Sequence, residues 1–477
     1  MNIRPTQNTN YDLVRTGLNM NLAKLIRAQE QVSTGKKLLR PSDDPVGTTT
    51  VLALQRQLGD VSRYSQAIDS ARPLLESGMG ALNEGSNILT EVRSLAVQGL
   101  NGTLSSADRR ALAQDLRLLK ARLLEVGNTK LGDRYLFGGT STRAKPFEEV
   151  EFNGQSRVVY AGDGDSRTVE VGPGVSLGVN VPGDVAFGKL ETSGVEYVGV
   201  TGVAHGASAD QGTGYGYVTV RHDSTSGTPG AGVQLANGGA DDTLIGDRTL
   251  TIDATAGTLQ LGSGTPVEIP AASSAGISDV SVTDEHGAVV HLDFSAWSGA
   301  SASATLSGAG SISIDGTNYT ALDLSATDLE LTDPNTGTIL HVDATGIVRA
   351  ATDLFNFTGG VNVFDVVQGM IDDLDSTGSI DDARLMQRLS SRLGEFDRNF
   401  DNLQVALGAL GTRSQRMDAS KSQLDDLSLS LKGLVSNNED ADLSSVILDM
   451  TRAEQTLQVA QASGARLLQN TLLNYLS

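Results

Sequence analysis

Cysteine is absent from this 477-residue chain, which excludes disulfides, thiolate metal sites and cysteine nucleophiles. Aromatic residues make up only 4% of the sequence, with a single tryptophan, which argues against large aromatic-lined ligand pockets. The chain has no apolar run of roughly 18 residues, the length that a membrane helix needs. Its N-terminus also lacks the apolar stretch of about 7–15 residues found in secretory signals. The sequence therefore predicts neither membrane insertion nor a Sec-type signal peptide.

Positive charge is also scarce, because 36 Lys and Arg stand against 57 Asp and Glu and the net charge is −21. Nonspecific nucleic-acid binding requires Lys and Arg side chains that replace the counterions of phosphates. The sequence therefore predicts no nucleic-acid partner.

The middle of the chain differs in composition from its flanks. Residues 151–350 hold 24 acidic against 6 basic residues, 32 of the 54 glycines and all five histidines. Short runs there, such as 249–253, 289–294 and 311–316, alternate apolar and polar residues between Gly, Asp and Asn. This pattern is typical of β-strands joined by turns.

The flanks instead repeat apolar residues every seven positions, which is typical of long coiled-coil-like helices. Two such series are Leu54, Val61, Ile68, Leu75, Leu82, Leu89 and Ala96, and Phe396, Leu403, Leu410, Met417, Leu424 and Leu431. Pro73 lies within the first series, and a proline inside a helix removes one backbone hydrogen bond. We therefore expect a kink or a helix restart at Pro73.

Together these patterns predict an α+β, multidomain protein, in which paired N- and C-terminal segments form a long helical bundle and the middle forms an inserted β-rich domain. We expect terminal helical assembly segments at 1–44 and 436–477. A helical rod domain with a β-hairpin should comprise 45–190 and 350–435. The outer β-rich domain should comprise 191–350.

Three helix starts are signalled locally. Asp44 is a capping residue before Pro45, whose missing N–H is not needed at the first helical position. Ser105 with Asp108 resembles a capping box. Asn438 should cap the last helix, whose first turn would hold acidic residues that suit the helix dipole.

Each end of the chain carries an amphipathic stripe with a spacing of three and four residues. The predicted assembly interface consists of Tyr11, Val14, Leu18, Leu25 and Val32 near the N-terminus, and of Leu443, Val446, Met450, Leu457 and Leu467 near the C-terminus. Isolated helices of this length are marginal in water. Either both stripes close an ordinary bundle within one chain, or they remain available to other copies.

Signatures of enzymes and metal sites are incomplete. The segment 33–37 has a Gly-Lys pair but lacks the upstream glycine of a phosphate loop, so we interpret it as a basic turn. Pro173 interrupts the glycine spacing of 171–180, which favours a β-turn over a dinucleotide loop. Asp163 and Asp165 lack the glutamate of a calcium loop, and their flanks resemble the arms of a hairpin. We predict no catalytic, cofactor-binding or metal-ligating residues, no cofactor and no enzymatic activity.

Four segments carry a resemblance to a known family. They are QVSTGKKLLRPSDDPVGTTTVLALQRQL (31–58), NGTLSSADRRALAQDL (101–116), GDRYLFGGT (132–140) and the C-terminal segment 438–477. Together they resemble the flagellin family. The RPSDDP motif, the RYLFGGT turn and the predicted hairpin over 158–188 suit a member at the hook-filament junction better than a filament flagellin. The resemblance covers about residues 1–190 and 350–477.

The resemblance implies a structural adaptor that joins the flagellar hook to the flagellin filament and assembles through its terminal helices. Its implied partners are other copies of itself, the proximal hook-filament junction protein, flagellin and a cytoplasmic flagellar export chaperone. The implied location is extracellular, at the hook-filament junction of the bacterial flagellum, after type III export and a transient cytoplasmic stage. The alternative is a filament flagellin or a flagellin-like surface adhesin.

Overall fold

The computed structural model describes residues 7–152, 155–188, 194–271, 276–376 and 382–476. The chain divides into two compact units. The first unit comprises Met1–Ala71, Val169–Leu177 and Gln415–Ser477, and the second comprises Arg72–Thr168 and Gly178–Ser414. Long helices toward both ends and a β-rich middle confirm the predicted α+β, multidomain class. The domain boundaries given above stay predictions.

The helices of the described residues concentrate in the flanks of the chain. They are α1 (Gln7–Thr34), α2 (Pro45–Gly99), α3 (Ser106–Gly127), α4 (Gly183–Phe187), α5 (Val363–Asp375), α6 (Asp382–Glu439) and α7 (Leu443–Leu476).

The strands begin after α3. They are β1 (Lys130–Leu131), β2 (Arg134–Tyr135), β3 (Phe147–Phe152), β4 (Gln155–Tyr160), β5 (Thr168–Gly172), β6 (Val175–Gly178), β7 (Val195–Val198), β8 (Ala204–His205), β9 (Tyr215–Ser226), β10 (Gln234–Leu235), β11 (Gly246–Asp253), β12 (Thr258–Leu261), β13 (Val267–Glu268), β14 (Val280–Thr283), β15 (Val289–Asp293), β16 (Ala302–Ser313), β17 (Thr320–Ala321), β18 (Leu329–Asp333), β19 (Thr338–Asp343) and β20 (Ala351–Phe357).

Antiparallel pairing organises these strands into one large sheet and several small ones. The large sheet has the order β13-β12-β11-β16-β9-β20-β7, with β17 paired to β16. Two three-stranded sheets have the orders β10-β15-β14 and β18-β19-β8, and β1-β2, β3-β4 and β5-β6 form pairs.

Two of the predicted helix starts are confirmed. Helix α2 begins at Pro45, and the Asp44 carboxylate accepts hydrogen bonds from the amides of Val46 and Gly47 at 3.1 and 2.9 Å. Ser105 and Asp108 form a reciprocal capping box at α3. The local sequence therefore specifies both starts, as side-chain capping of unpaired helix amides requires.

The prediction for Asn438 is wrong. Of the two alternatives at Pro73, the restart is wrong and the kink stays a prediction. Helix α2 continues through Pro73 without interruption. Asn438 lies within α6, and α7 is capped by Asp442, whose Oδ1 accepts from the amides of Ser444 and Ser445 at 3.0 and 3.4 Å. Asp442 stands next to the first helical residue, so it reaches amides that Asn438 cannot reach.

The predicted hairpin around 162–166 is also wrong, because its two arms pair with other strands. Strand β4 pairs with β3, and β5 pairs with β6. The Asp163 carboxylate accepts from the amides of Thr140 and Ser141 at 2.8 and 2.9 Å. These bonds fix residue 163 to the preceding loop instead of to a hairpin tip. The turn predicted within 171–180 is confirmed between β5 and β6.

The seven-residue stripes of α2 and α6 are buried as predicted, apart from Leu54, which is half-buried. Ile68 and Met417 are 0% and 1% exposed in the first unit, and Leu82 and Leu403 are both 0% exposed in the second. The stripes therefore supply the apolar core along these helices, since burial of each large aliphatic side chain contributes about 1.5–3 kcal/mol.

The β-rich region contains an internal duplication that the sequence analysis missed. We define module A as residues 203–226 with 309–357, and module B as residues 233–308. The hairpin β14–β15 of module B and the hairpin β18–β19 of module A have the same register, with Val282 opposite Val290 and Leu331 opposite Leu340. The two hairpins also share a sequence pattern, since DVSVTD (279–284) and HLD (291–293) match DLELTD (328–333) and HVD (341–343).

Each hairpin receives a third short strand in the same way. Strand β10 pairs with β15, and β8 pairs with β19, in both cases at the end of the hairpin. A few residues later, Asp242 accepts from the amide of His291 at 2.7 Å, and Asp210 accepts from the amide of His341 at 2.7 Å. The two modules therefore repeat a side-chain contact as well as a topology.

The long strands that follow, β11 and β9, are equivalent as well. The amide of Thr243 bonds to Val289 O at 2.9 Å, and that of Gln211 bonds to Ile339 O at 2.8 Å. When the two strands are aligned at these bonds, Leu250 is equivalent to Val218 and Arg248 is equivalent to Gly216. Each module has its own apolar core. The core of module B includes Leu250, Ile252, Val282, Val290 and Leu292, and the core of module A includes Val218, Val220, Leu331, Leu340 and Val342.

Candidate functional site: the terminal helix pair

The first and last helices of the chain, α1 and α7, pack along one another within the first unit. Apolar residues recur along each helix at three- and four-residue spacing, which places them on one face. The predicted residues with described side chains lie half-buried at this pair, apart from Leu443; they are Val14, Leu18, Leu25, Val32, Val446, Met450 and Leu457. Leu443 is 46% exposed. The side chains of Tyr11 and Leu467 lie outside the described residues.

Close approach of the two helices depends on small residues in the stripe. A Cβ built on Gly464 of α7 would lie 3.3 Å from Cγ1 of Val14 on α1. Ala28 is the best-covered apolar side chain of α1, with 7% exposure. Small residues shorten the distance between helices, but they remove little apolar area from water.

A second set of apolar residues on the same helices is exposed, and the sequence analysis did not select it. Its members are Leu13, Met20, Leu22 and Ile26 on α1, and Ile447, Leu448 and Val459 on α7. We call this set the outer apolar face, meaning the circumference of each helix outside the stripe, since Leu22 and Ile26 lie on a different side of α1 from Leu13. Leu13 and Val459 are 69% and 68% exposed. The signal for this face was available, because these apolar residues lie outside the three-and-four spacing of the stripe.

The turn after α1 is fastened to the segment that precedes α7. Gly35 has a φ of +70°, which ends the helix in the left-handed conformation that glycine adopts readily. The amide of Ala441 donates to Gly35 O at 2.9 Å, and the amide of Lys37 donates to Glu439 O at 2.7 Å. The prediction of a basic turn at 33–37 is therefore confirmed.

Lys36 makes this connection with its side chain as well. Its ammonium forms an ion pair with the carboxylate of Glu439, and the hydrogen bond that it donates to this carboxylate raises the pKa of Lys36. The Lys36 side chain is half exposed, so the pair contributes little to stability. Its role is to position the two chain segments.

The described residues contain no group of three or more His, Asp or Glu side chains arranged to hold a metal ion. Asp163, the strongest sequence candidate, uses its carboxylate to hold Thr140 and Ser141. No helix among the described residues has the length and apolarity to cross a membrane.

Comparison with known families identifies the N-terminal part of the chain. Residues 6–142 match the family model described as the bacterial flagellin N-terminal helical region. The resemblance to the flagellin family is confirmed. The matched range covers α1, α2 and α3, and so includes half of the terminal helix pair. This match does not extend to α7.

Two curated relatives each match over less than a third of the chain. Flagellar hook-associated protein 3 of Escherichia coli (strain K12) is 32% identical over 140 residues, which are 29% of this chain and 44% of the relative. B-type flagellin of Pseudomonas aeruginosa is 30% identical over 138 residues, which are 28% of each chain. This chain thus spans less than half the length of these relatives. Neither relative is named as an enzyme.

One solved structure aligns with most of this chain, at low similarity. The flagellar hook associated protein-3 of Legionella pneumophila aligns with 80% of this chain and 98% of its own length, at 16% identity and a TM-score of 0.44. This TM-score is too low to support an argument about a shared fold. The resemblance to the flagellin family depends on the sequence match.

Proposed function

We propose that this protein is a structural adaptor of the bacterial flagellum that joins the hook to the flagellin filament. The observation that supports the proposal best is the terminal helix pair, whose first helix lies in the matched flagellin region and whose outer apolar face is exposed. The name of the Escherichia coli relative, flagellar hook-associated protein 3, favours the junction over the filament. The B-type flagellin match keeps the filament as the alternative to be tested.

The proposed mechanism is self-assembly through the terminal helices. In one chain, α1 and α7 bury only one face of each helix. A fully buried large apolar side chain contributes about 1.5–3 kcal/mol, and a half-buried one contributes only part of this. Ordering each residue costs about 1–2 kcal/mol of backbone entropy. Neighbouring copies that cover the outer apolar face would supply the missing burial. The predicted interface residues and the outer apolar face would then act as inner and outer sides of the same assembly.

The proposed partners follow from this role. They are other copies of the chain, the proximal hook-filament junction protein on one side and flagellin on the other. Before assembly, a cytoplasmic flagellar export chaperone would hold the C-terminal helix, and the type III apparatus would export the chain. The final location would be extracellular, at the hook-filament junction.

Immunogold labelling of intact flagella tests the proposal. Antibody raised against residues 195–357 should mark a single band where the hook meets the filament. Labelling along the whole filament would instead support the flagellin alternative, and labelling of the cell surface away from flagella would support an adhesin.

A further inference from the structure

The two modules differ at the position of Arg248, an arginine that module B has and module A lacks. In module B, Nε of Arg248 on β11 donates to Oδ2 of Asp284 at 2.9 Å, and Nη1 donates to Asp247 O at 2.9 Å. The Asp284 side chain is fully buried. Arg248 therefore ties its own strand to the tip of the β14–β15 hairpin by charge-assisted hydrogen bonds.

Module A has no side chain at the equivalent position, which is Gly216 on β9. A Cβ built there would lie 2.4 Å from Cζ of Phe355, which pairs with Gly216 across the sheet. Module B has Leu306 in place of that ring, opposite Arg248. The ring of Phe355 thus excludes an arginine on β9, and module A cannot supply the guanidinium from its own strand.

Arg157 supplies a guanidinium at this place from a different part of the chain. It lies on β4, outside both modules, and its Nη2 donates to Tyr215 O at 2.6 Å. Tyr215 is the residue equivalent to Asp247, whose carbonyl receives the Arg248 bond in module B. The guanidinium also lies 5.9 Å from the centroid of the Tyr215 ring, within the range of a cation–π contact. The two arginines therefore donate to equivalent carbonyls, one from inside its module and one from outside.

The second bond of Arg248 has no counterpart at Arg157. Nε of Arg157 is buried and has no hydrogen-bond partner among the described residues. Beside it lies a cavity of about 170 Å³, lined by Arg157, Gly216, Phe355 and Asp333, the residue equivalent to Asp284. The Arg157 side chain thus contacts module A through one hydrogen bond and lies beside an open cavity.

Val158, the next residue on β4, is bonded to α5 through its backbone amide. The amide of Val158 donates to Oδ1 of Asp365 on α5 at 2.8 Å, and that carboxylate also accepts from Asn362 at 3.0 Å. Two consecutive residues of one strand therefore hold α5 and module A.

We propose that Arg157 is a positioning residue that fixes module A to the β3–β4 hairpin, in the place that Arg248 fills within module B. Its guanidinium sets the orientation of the duplicated β region relative to the hairpin and α5, all within the second unit. This positioning role concerns the tertiary structure of the second unit and does not depend on the proposed flagellar role.

Spin-label distances test the proposal, and the absence of cysteine from the chain makes labelling simple. Labels at Glu151→Cys on β3 and Glu330→Cys on β18, both exposed, report the separation of the hairpin from module A. In the full chain, Arg157→Ala should widen the distance distribution at least twofold, and Arg157→Lys should restore part of the narrow distribution because its ammonium still donates to Tyr215 O. The matched control Arg221→Ala, an exposed arginine of module A, should leave the width unchanged.

An unchanged width in Arg157→Ala would overturn the proposal. Arg157→Gln keeps most of the aliphatic stem and is measured in parallel, so that a folding defect of the alanine variant does not decide the result. Circular dichroism melts accompany each variant. Widening by the same amount in Arg157→Lys and Arg157→Ala would also contradict the proposal, because loss of packing would then explain the effect.

Discussion

Gly464 of α7 packs against Val14 of α1, since a Cβ on residue 464 would lie 3.3 Å from Cγ1 of Val14. This distance is shorter than an ordinary van der Waals contact, so a side chain at residue 464 would press against one γ-methyl group of Val14. Glycine at this point favours close pairing at the expense of helix propensity, because glycine in a helix interior is about 1 kcal/mol less favourable than alanine.

Replacement of Gly464 should therefore depend on the size of the new side chain. Gly464→Leu should separate α1 from α7 and reduce the helix content of the chain, as measured by far-ultraviolet circular dichroism. Gly433→Leu on α6 is the matched control, since a Cβ there has no atom within 4 Å. Equal helix content in the two variants would show that the contact at 464 does not limit the pairing.

The outer apolar face should matter for assembly and little for the single chain. Val459→Asp changes a side chain that is 68% exposed, so the melting temperature of the monomer should stay within experimental error of the original. Polymerisation, followed by light scattering or by filament attachment, should be lost because the charge would be buried between copies. Gln458→Asp, which adds the same charge at the adjacent exposed position, should assemble normally. Normal assembly of Val459→Asp would rule out this face as the contact.

Leu457→Asp should behave differently from Val459→Asp. Leu457 lies half-buried on the side of α7 that carries the stripe, so the new charge should loosen the α1–α7 pair in the single chain as well as abolish assembly. Hydrogen exchange of the amides of α1 measures this loosening. Unchanged protection in α1 would mean that the stripe does not hold the pair together.

Burial of Asp365 predicts a pH-dependent term in stability. Burial raises the pKa of its carboxyl group from 3.8 to about 6 in the folded protein. The folded state therefore binds the proton more tightly than the unfolded state. The associated stabilisation is fully present below pH 3.8 and is lost as pH rises through 6.

Asp365→Asn removes this term and keeps an acceptor for the amide of Val158. The stability of the variant relative to the original should therefore increase between pH 4 and pH 7.5, by up to about 3 kcal/mol for a shift of roughly two pKa units. Urea unfolding at a series of pH values measures the difference. Glu151→Gln, at an exposed position, is the control, and a difference for Asp365→Asn that stays constant across pH would contradict the assignment.

The duplication predicts that module B can be removed. Ser226 and Ser307 are partners on β9 and β16, so an Asn-Gly turn replacing residues 227–306 would join them as a two-residue hairpin. Module A should keep its cooperative fold, with a loss of about 2–5 kcal/mol because Ile245 of the removed segment packs in its core. A molten state without a thermal transition would show that the two modules fold only together.

Local signals specified much of the helical part of the fold. The capping residues at Asp44 and Ser105 and the stripes through Ile68 and Leu403 were visible because each depends on residues within a few turns of one another. A helix restart at Pro73 was wrong, because α2 is continuous there. The partner of β4 was mispredicted because alternation on both sides of residues 162–166 indicates strands without specifying which strands pair, and β4 pairs with its neighbour β3.

The site was predicted in part for the same reason. Periodicity identified the stripe that pairs α1 with α7, but it did not show how much of each helix the pairing leaves exposed. The assembly role of the ten predicted residues stays a prediction. Module duplication left a sequence signal at 279–293 and 328–343, yet the equivalence of Arg248 and Arg157 required the three-dimensional arrangement, since the two residues occupy unrelated positions in the chain.

The contact between Val14 and Gly464 joins positions 450 residues apart, which has a consequence for the order of folding. Closing so long a loop carries an entropic cost that must be met before the contact contributes anything. Contacts of this sequence separation form late, after the local hairpins and the helix starts. During synthesis α1 therefore has no helix to pair with until α7 has left the ribosome.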